Sequence, residues 1–119
     1  MNVEQGINTL LLADATVSGL IATRLYPMIM PQGVTLPALS YQRVATAPVN
    51  DLEGSQNHEW VRVQVDCWDD DYSGVKALSA AVRAAMLLTP VYGILLAQLD
   101  DYDSEEKLFR VILDFNVWN

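Results

Sequence analysis

Cys67 and His58 are the only thiol and the only imidazole in the sequence, so they are the first residues to test for catalysis. A cysteine nucleophile needs its histidine base within hydrogen-bonding reach. Nine residues separate the two, and in an extended strand that spacing covers roughly 30 Å. Cys67 also falls in an apolar row, where a thiol is normally inert. The sequence therefore predicts no catalysis by this pair.

The acidic residues at 100–106 are the second candidate, because alternating carboxylates can ligate Ca²⁺ or Mg²⁺. A calcium loop that began at Asp101 would need glycine at 106 and glutamate at 112, where this chain has Glu106 and Ile112. A solvated turn is the simpler interpretation. No phosphate-binding glycine loop and no GxSxG motif occurs. We expect no enzyme activity and no metal or other cofactor, and a small enzyme or ligand-binding domain is the weaker alternative.

Length and charge narrow the class of protein further. A chain of 119 residues with 51% hydrophobic residues fits one globular domain, spanning 1–119. A net charge of −8 argues against tight binding to nucleic acid, which requires a cationic surface. The same charge would suit a surface that DNA slides past. No apolar run approaches the roughly 20 residues that span a bilayer, and no secretory signal is visible, so we expect a soluble protein made in the cytoplasm without membrane contact.

Helical spacing marks three segments. Apolar residues from Val3 to Leu12 predict a first helix, capped by Asn2, and Asp14 is placed to cap a short second one. The longest predicted helix covers 73–88, with Asp71 or Ser73 as its cap.

The β-strands are predicted from alternation and from β-favouring residues. Glu59–Trp68 alternates strictly, with Val61, Val63, Val65 and Cys67 in the apolar row. Further strands are predicted over 37–45, 92–99 and 108–118, and 24–30 is expected to be extended. The segments 46–58 and 100–106 are predicted to be loops. The fold class is α+β, with two layers: a mostly antiparallel sheet of about four strands and helices packed on one face.

The tryptophans Trp60, Trp68 and Trp118 all fall on the outward row of their strands. Packing beneath a neighbouring loop is the simpler interpretation. Anchoring of a protein interface, where tryptophan is enriched, is the alternative.

The order of these segments resembles a known family of viral proteins. Arg24-Leu25-Tyr26-Pro27, Pro31-Gln32-Gly33 and 36–42 are similar to the front half of the tail-completion, or tail-terminator, proteins of long-tailed bacterial viruses. Val63–Trp68 with the following helix and the closing segment 108–118 continue the resemblance. It covers nearly the whole chain.

The resemblance implies a structural virion protein with a mixed sheet flanked by helices. Subunits of that family assemble into a ring, typically a hexamer, at the head-proximal end of the tail tube. The ring stops tube polymerisation and meets the neck proteins of the head. The implied partners are therefore further copies of the chain, the tail tube protein and a head-completion protein, with DNA passing through the ring. A head-completion or connector protein, or a generic oligomeric domain, are the alternatives.

A ring requires two different contact patches on each subunit. The two predicted loops and one basic helix face are the candidates for such contacts. The residues concerned are Asn50, Asp51, Glu53, His58, Lys76, Arg83, Asp101, Asp103 and Glu105.

Overall fold

Eight helices and strands follow one another in the computed structural model, which describes residues 3–51, 54–88, 91 and 93–118. The helices are α1 (Val3–Ala13), α2 (Ala15–Ile21) and α3 (Tyr72–Met86). The strands are β1 (Leu25–Pro27), β2 (Ala38–Asp51), β3 (Gly54–Asp69), β4 (Ile94–Asp103) and β5 (Leu108–Trp118). No helix within the described ranges is long and apolar enough to cross a membrane.

The strands form one mixed sheet in the order β1-β2-β3-β5-β4. Only β1 and β2 pair in parallel, and the other three pairs are antiparallel. The α+β class is confirmed, whereas the sheet has five strands instead of about four, because the extended segment around Tyr26 joins its edge. Since β3 and β4 both run antiparallel to β5, they point the same way, and α3 is the crossover between them.

The helices cover one face of the sheet, and the core lies between the two layers. Alternate residues of β3 and β5 are fully or almost fully buried on that face, as their apolar rows predict. α3 contributes Val75, Leu78 and Val82, and α1 contributes Ile7 and Leu11. The buried strand residues are Val61, Val63, Val65, Cys67, Val111, Leu113, Phe115 and Val117.

Two helix starts are fixed by aspartate caps. Asp14 accepts hydrogen bonds from the backbone N–H groups of Thr16 and Val17, both at 3.0 Å, as predicted. Asp71 accepts from the backbone N–H of Gly74 at 2.8 Å, and it is the cap of α3. The proposed cap of α1, Asn2, lies outside the described residues.

The prediction of a loop over 46–58 was wrong, because β2 and β3 continue through it as a hairpin. Val49 pairs with His58, and Asp51 pairs with Gly54. Among the described residues, the pairing of β5 with β3 reaches the Trp60–Trp118 pair, and the paired residues of β2 and β3 continue beyond it toward the hairpin tip. The sequence of 46–58 lacks the alternation of apolar and polar residues that identifies a strand with one buried face. Pro48 pairs with Glu59, and no described strand lies on the outer side of β2 at that point, which is an edge position where proline is tolerated.

The prediction of a loop over 100–106 was also wrong in its first half. β4 continues through Asp100, Asp101 and Asp103, and only residues 104–107 form the turn into β5. β4 is an edge strand with most of its residues exposed, so neither face carries an apolar row that would reveal it. Three aspartates in a strand are unfavourable by propensity, and here pairing with β5 overrides that preference.

Candidate assembly surface

The face of the sheet opposite the helices has no layer packed over most of it in the described structure. Register places one row of side chains from each strand on this open face. From β2, β3 and β5 these side chains are Ser40, Gln42, Trp60, Arg62, Gln64, Asp66, Trp68, Arg110, Ile112, Asp114, Asn116 and Trp118. The open face is thus a mixture of charged, amide and aromatic groups, unlike the apolar rows of the core face.

A partly buried polar network lies at one end of the open face. Arg110 Nη2 donates to Asp66 Oδ2 at 2.8 Å, and Gln64 Nε2 donates to Asp66 Oδ1 at 2.9 Å. The Arg110 guanidinium lies 5.0 Å from the centre of the Trp68 ring, and Trp68 Nε1 donates to Ser40 Oγ at 3.1 Å. Five strand residues of β2, β3 and β5 are therefore linked by side-chain contacts.

The other end of the open face carries an ion pair and two aromatic rings. Arg62 and Asp114 form a bidentate pair across β3 and β5, and the partial exposure of Arg62 leaves that pair open to solvent. The hydrogen bonds that Arg62 donates to Asp114, together with the attraction of that carboxylate, raise the pKa of Arg62 above its ordinary value. The rings of Trp60 and Trp118 meet edge-on at 4.7 Å between centroids. The prediction that these tryptophans share the outward row is confirmed by the register.

A groove of about 600 Å³ lies beside the polar network, between the open face and the segment that joins β1 to β2. Its apolar wall comes from that segment, which includes Met28, Ile29, Val34 and Leu36. Its polar side includes Asp66, Arg110, Asp103 and Glu106. Trp68 lies in this groove, so for this tryptophan packing beside a loop is the arrangement observed.

Sequence reasoning missed the role of the segment 28–36. Met28 adopts a positive φ of 65°, which is uncommon for a side chain of its size, and Ile29 is 79% exposed. The available signal was a cluster of apolar residues, Met28, Ile29 and Met30, between Pro27 and Pro31. Prolines excluded a helix there, yet nothing in the local pattern indicated that the segment borders the open face.

Three of the four predicted contact residues in the first group are described, and these three lie at or near the tip of the hairpin. Asn50 and Asp51 are in β2 and His58 is in β3, so all three are strand residues. Glu53 lies outside the described residues. The tip is at one end of the sheet, beyond the Trp60–Trp118 pair.

The second group, Asp101, Asp103 and Glu105, lies at the opposite end of the sheet from the hairpin tip. Asp103 Oδ1 accepts from the backbone N–H groups of Glu105 and Glu106 at 3.0 and 3.1 Å, which fixes the turn. Asp101 pairs with Arg110 in the register of β4 and β5, and so it belongs to the open face. The two acidic segments are therefore far apart and cannot form one patch on a single subunit.

Lys76 and Arg83 share the side of α3 that faces β4, as their spacing predicts. Lys76 Nζ lies 3.1 Å from Asp100 Oδ2 and 5.9 Å from the centre of the Tyr72 ring. Arg83 Nη1 donates to Gln98 Oε1 at 3.0 Å. Both cations therefore have partners within their own chain, and a neighbouring subunit would have to compete with these contacts.

The residues considered for chemistry do not form a reactive site in the described structure. Cys67 is fully buried, and burial raises the pKa of its thiol far above the ordinary value. A thiol held protonated is a poor nucleophile. Among the described residues, no group of three or more His, Cys, Asp or Glu side chains is arranged to hold a metal ion.

Taken together, the mixed sheet, the three helices on one face and the open opposite face describe a two-layer α+β protein. The same fold occurs in a chain of the virion of a native gene transfer agent particle. That chain superposes with a TM-score of 0.77 over 97% of this chain and 92% of its own length, at 18% sequence identity. An identity this low shows the fold alone. No curated protein sequence matches this chain.

The family is shown by the sequence itself. The family model described as tail completion protein gp17 matches residues 5–119, almost the entire chain. The chain therefore belongs to the tail completion protein gp17 family and is a structural tail-completion protein. The resemblance noted from the order of its segments is thereby confirmed.

Proposed function

We propose that this protein is a tail terminator, a ring-forming subunit that caps the head-proximal end of the tail tube, ends its polymerisation and presents the surface that joins the head. The observation that carries the proposal is the family match over residues 5–119. A six-fold ring is the assembly we propose, with the tube protein on one side and a head-completion protein on the other.

The distribution of charge supports passage of DNA through such a ring. The chain has seven Lys and Arg residues against fifteen Asp and Glu. Four of the seven cations, Arg43, Arg62, Lys76 and Arg110, pair with carboxylates of the same chain. Few cations are left to neutralise phosphates, and phosphate neutralisation supplies most nonspecific affinity for DNA. DNA would therefore pass without being held.

The fold shared with a chain of a gene transfer agent virion supports the proposal that this protein is a virion component. The protein with the same fold comes from a gene transfer agent particle, and we extend that setting to this chain by inference. The nine predicted contact residues, from Asn50 at the hairpin to Glu105 at the turn, remain our proposed contact positions. The described residues of the hairpin and the acidic residues near the turn lie at opposite ends of the sheet, which suits a subunit that meets one partner above and another below.

Electron microscopy of particles made without this protein is the direct test. We expect tails of irregular and excessive length and no joined particles, because polymerisation of the tube would have no stop. A plasmid copy of the wild-type gene should restore uniform, head-joined tails. Purified protein added to isolated tail tubes should form rings with a central hole at one end only.

Two other outcomes separate the proposal from its alternatives. Normal free tails beside heads that have lost their DNA would identify a head-completion protein and contradict the terminator role. Uniform tails that join heads normally would show that the protein is dispensable for both steps. Reversal of charge at both Lys76 and Arg83 tests the basic helix face: unchanged ring formation would remove these two residues from the contact.

A further inference from the structure

Two stretches of strand edge in this protein lack a paired neighbour, and they lie on opposite sides of the sheet. β4 is the last strand in the order β1-β2-β3-β5-β4, and within the described structure it pairs with β5 alone. On the other side, β1 covers β2 only at Leu39–Tyr41. The outer side of β2 from Val44 to Ala47 therefore has no strand beside it among the described residues.

The exposed edge of β4 is poorly protected against pairing. Natural edge strands are usually short, charged, twisted away or covered. β4 is ten residues long, and its first six residues, Ile94–Leu99, carry no charge. Ile94, Leu96 and Leu99 are 53%, 50% and 59% exposed. The aspartates that would discourage pairing begin only at Asp100.

The edge of β2 has matching properties. Val44 is 49% exposed at a bulge, and Ala45, Thr46 and Ala47 are exposed as well. No residue from Val44 to Asn50 is charged. In a chain of net charge −8, the stretches Ile94–Leu99 and Val44–Asn50 are thus free of the like-charge repulsion that would oppose contact between copies.

Strand direction allows the two edges to pair across copies. β2 runs antiparallel to β3, β3 to β5, and β5 to β4, so β4 and β2 point in opposite directions. In a ring whose axis runs roughly along the strands, rotation leaves the direction of β2 unchanged in the next copy. β4 of one copy would then lie antiparallel to β2 of its neighbour, which is the more stable arrangement.

We infer that β4 of each subunit pairs with the β2 edge of the next copy around Val44–Ala47, so that the sheets of the ring join head to tail. The inference rests on the proposed ring and names the contact that closes it. The two edges are different and lie on opposite sides, which is the arrangement that a heterologous, closing interface requires. Main-chain hydrogen bonds would supply affinity, and the half-exposed leucines of β4 would be buried.

Cross-linking between two introduced cysteines tests this contact with little disturbance. Ala45 and Ala97 are both exposed and lie on the open face, where they pair with Arg62 and Asp114. The native Cys67 is buried and provides no background. The Ala45→Cys/Ala97→Cys protein is assembled on tail tubes and treated with a short-spacer bismaleimide. We expect a series of covalently linked oligomers, of which the largest contains all the subunits of one ring. Each variant that carries only one of the two introduced cysteines should give monomers only.

Two cross-linking results would overturn the inference. Efficient dimers of the Ala97→Cys variant alone would show that β4 meets β4 in a two-fold contact. Rings visible by microscopy without any ladder in the double variant would place the subunit contact elsewhere. In either case the proposed terminator role would survive, whereas wild-type protein that forms no ring on tubes would defeat both proposals.

A pair of lysine substitutions gives an independent test with a matched control. Leu99 on β4 and Leu87 at the end of α3 are both 59% exposed. Leu99→Lys should reduce the fraction of capped tubes at least tenfold, and Leu87→Lys should behave like the wild type. Melting temperatures of both variants establish that each is folded, and equal capping by a folded Leu99→Lys protein would contradict the inference.

Mixing two defective variants tests the head-to-tail character. Leu99→Lys removes the β4 contact and keeps the β2 edge, whereas Val44→Lys does the reverse. Neither should assemble alone at high concentration, and the mixture should form one-to-one dimers by native mass spectrometry, because one intact contact remains. No dimers from the mixture, while wild type assembles under the same conditions, would overturn the pairing.

Discussion

The guanidinium of Arg110 lies over the indole of Trp68, 5.0 Å from the ring centre, while it also donates to Asp66. Asp66 is 8% exposed, so its carboxylate has little access to water. Arg110 is thus the positively charged partner of the nearly buried Asp66 carboxylate. It also lines the groove beside the open face. Arg110 therefore links β5 to β3 through side-chain contacts at this end of the open face.

Removal of Arg110 is expected to destabilise the protein substantially. Arg110→Ala leaves the Asp66 carboxylate without its cation, and an uncompensated, mostly buried charge costs about 2 kcal/mol or more of unfolding free energy. Arg110→Lys should cost less because it keeps the charge. Urea denaturation followed by circular dichroism measures the difference.

The matching control is the other ion pair of the open face. Arg62→Ala should change stability much less than Arg110→Ala, because Arg62 and Asp114 form their pair in contact with solvent. Equal losses from the two alanine variants would show that burial of Asp66 does not govern the energetics of this face.

A second prediction concerns the bond between α1 and β2. Arg43 holds Glu4 through both carboxylate oxygens, at 2.6 and 3.0 Å. The hydrogen bond from Arg43 holds the pKa of Glu4 below its ordinary value of 4.5. Its stabilisation is therefore fully present above pH 4.5 and is lost as the pH falls through the lowered pKa.

Glu4→Gln should accordingly lower the unfolding free energy at pH 7 by at most about 1 kcal/mol, since both side chains are partly exposed and solvent screens the pair. The difference between variant and wild type should disappear as the pH is lowered below 4.5. Denaturation curves at pH 7 and at acidic pH measure this, and a difference that persisted in acid would mean that charge is not its cause.

Periodicity identified those elements that bury a face, and failed for those that do not. The rows of β3 and β5 alternate because one side touches the helices, and α3 shows helical spacing for the same reason. The second half of β4 lies at the sheet edge and is mostly exposed, so its sequence resembles a loop. The sequence of the hairpin beyond Trp60 shows no apolar alternation either. The three residues of β1 are too few to show any period.

The candidate site was predictable only in part. The outward tryptophans and the shared face of Lys76 and Arg83 follow from spacing along one element. That Arg110 reaches Asp66, or that Asp100 holds Lys76, depends on which strands become neighbours, and the order β3-β5-β4 is not local information. The open edges that we propose as contacts depend on the same order.

A third prediction uses the burial of Cys67. Its thiol is inaccessible, and burial raises its pKa, so the reactive thiolate is scarce in the folded protein. Labelling by a thiol reagent at pH 8 should be about 1000-fold or more slower than in urea-unfolded protein, because access requires unfolding of the core. Mass spectrometry of timed samples measures the rate. Fast labelling of folded protein would show that β3 opens locally.

The fourth prediction compares two helical glycines. A methyl group added at Gly74 would lie 2.2 Å from Asp69 Oδ2, at the capped start of α3. Asp69 is buried, and its Oδ1 accepts a hydrogen bond from the backbone N–H of Asp70 at 2.8 Å, so the carboxyl has little room to rotate away from an added methyl group without losing that bond. Gly74→Ala should therefore destabilise the protein, by about 1–3 kcal/mol for such overpacking.

Gly19 is the control, because nothing lies within 4 Å of a methyl group added there. It sits inside α2, where glycine costs helix stability, so Gly19→Ala should stabilise by about 0.5–1 kcal/mol. The same substitution in two helices is thus expected to have opposite signs. The melting temperatures of the two variants measure the sign of each change. A rise for both would mean that Asp69 moves aside at no cost. The contact between Gly74 and Asp69 would then not constrain the start of α3.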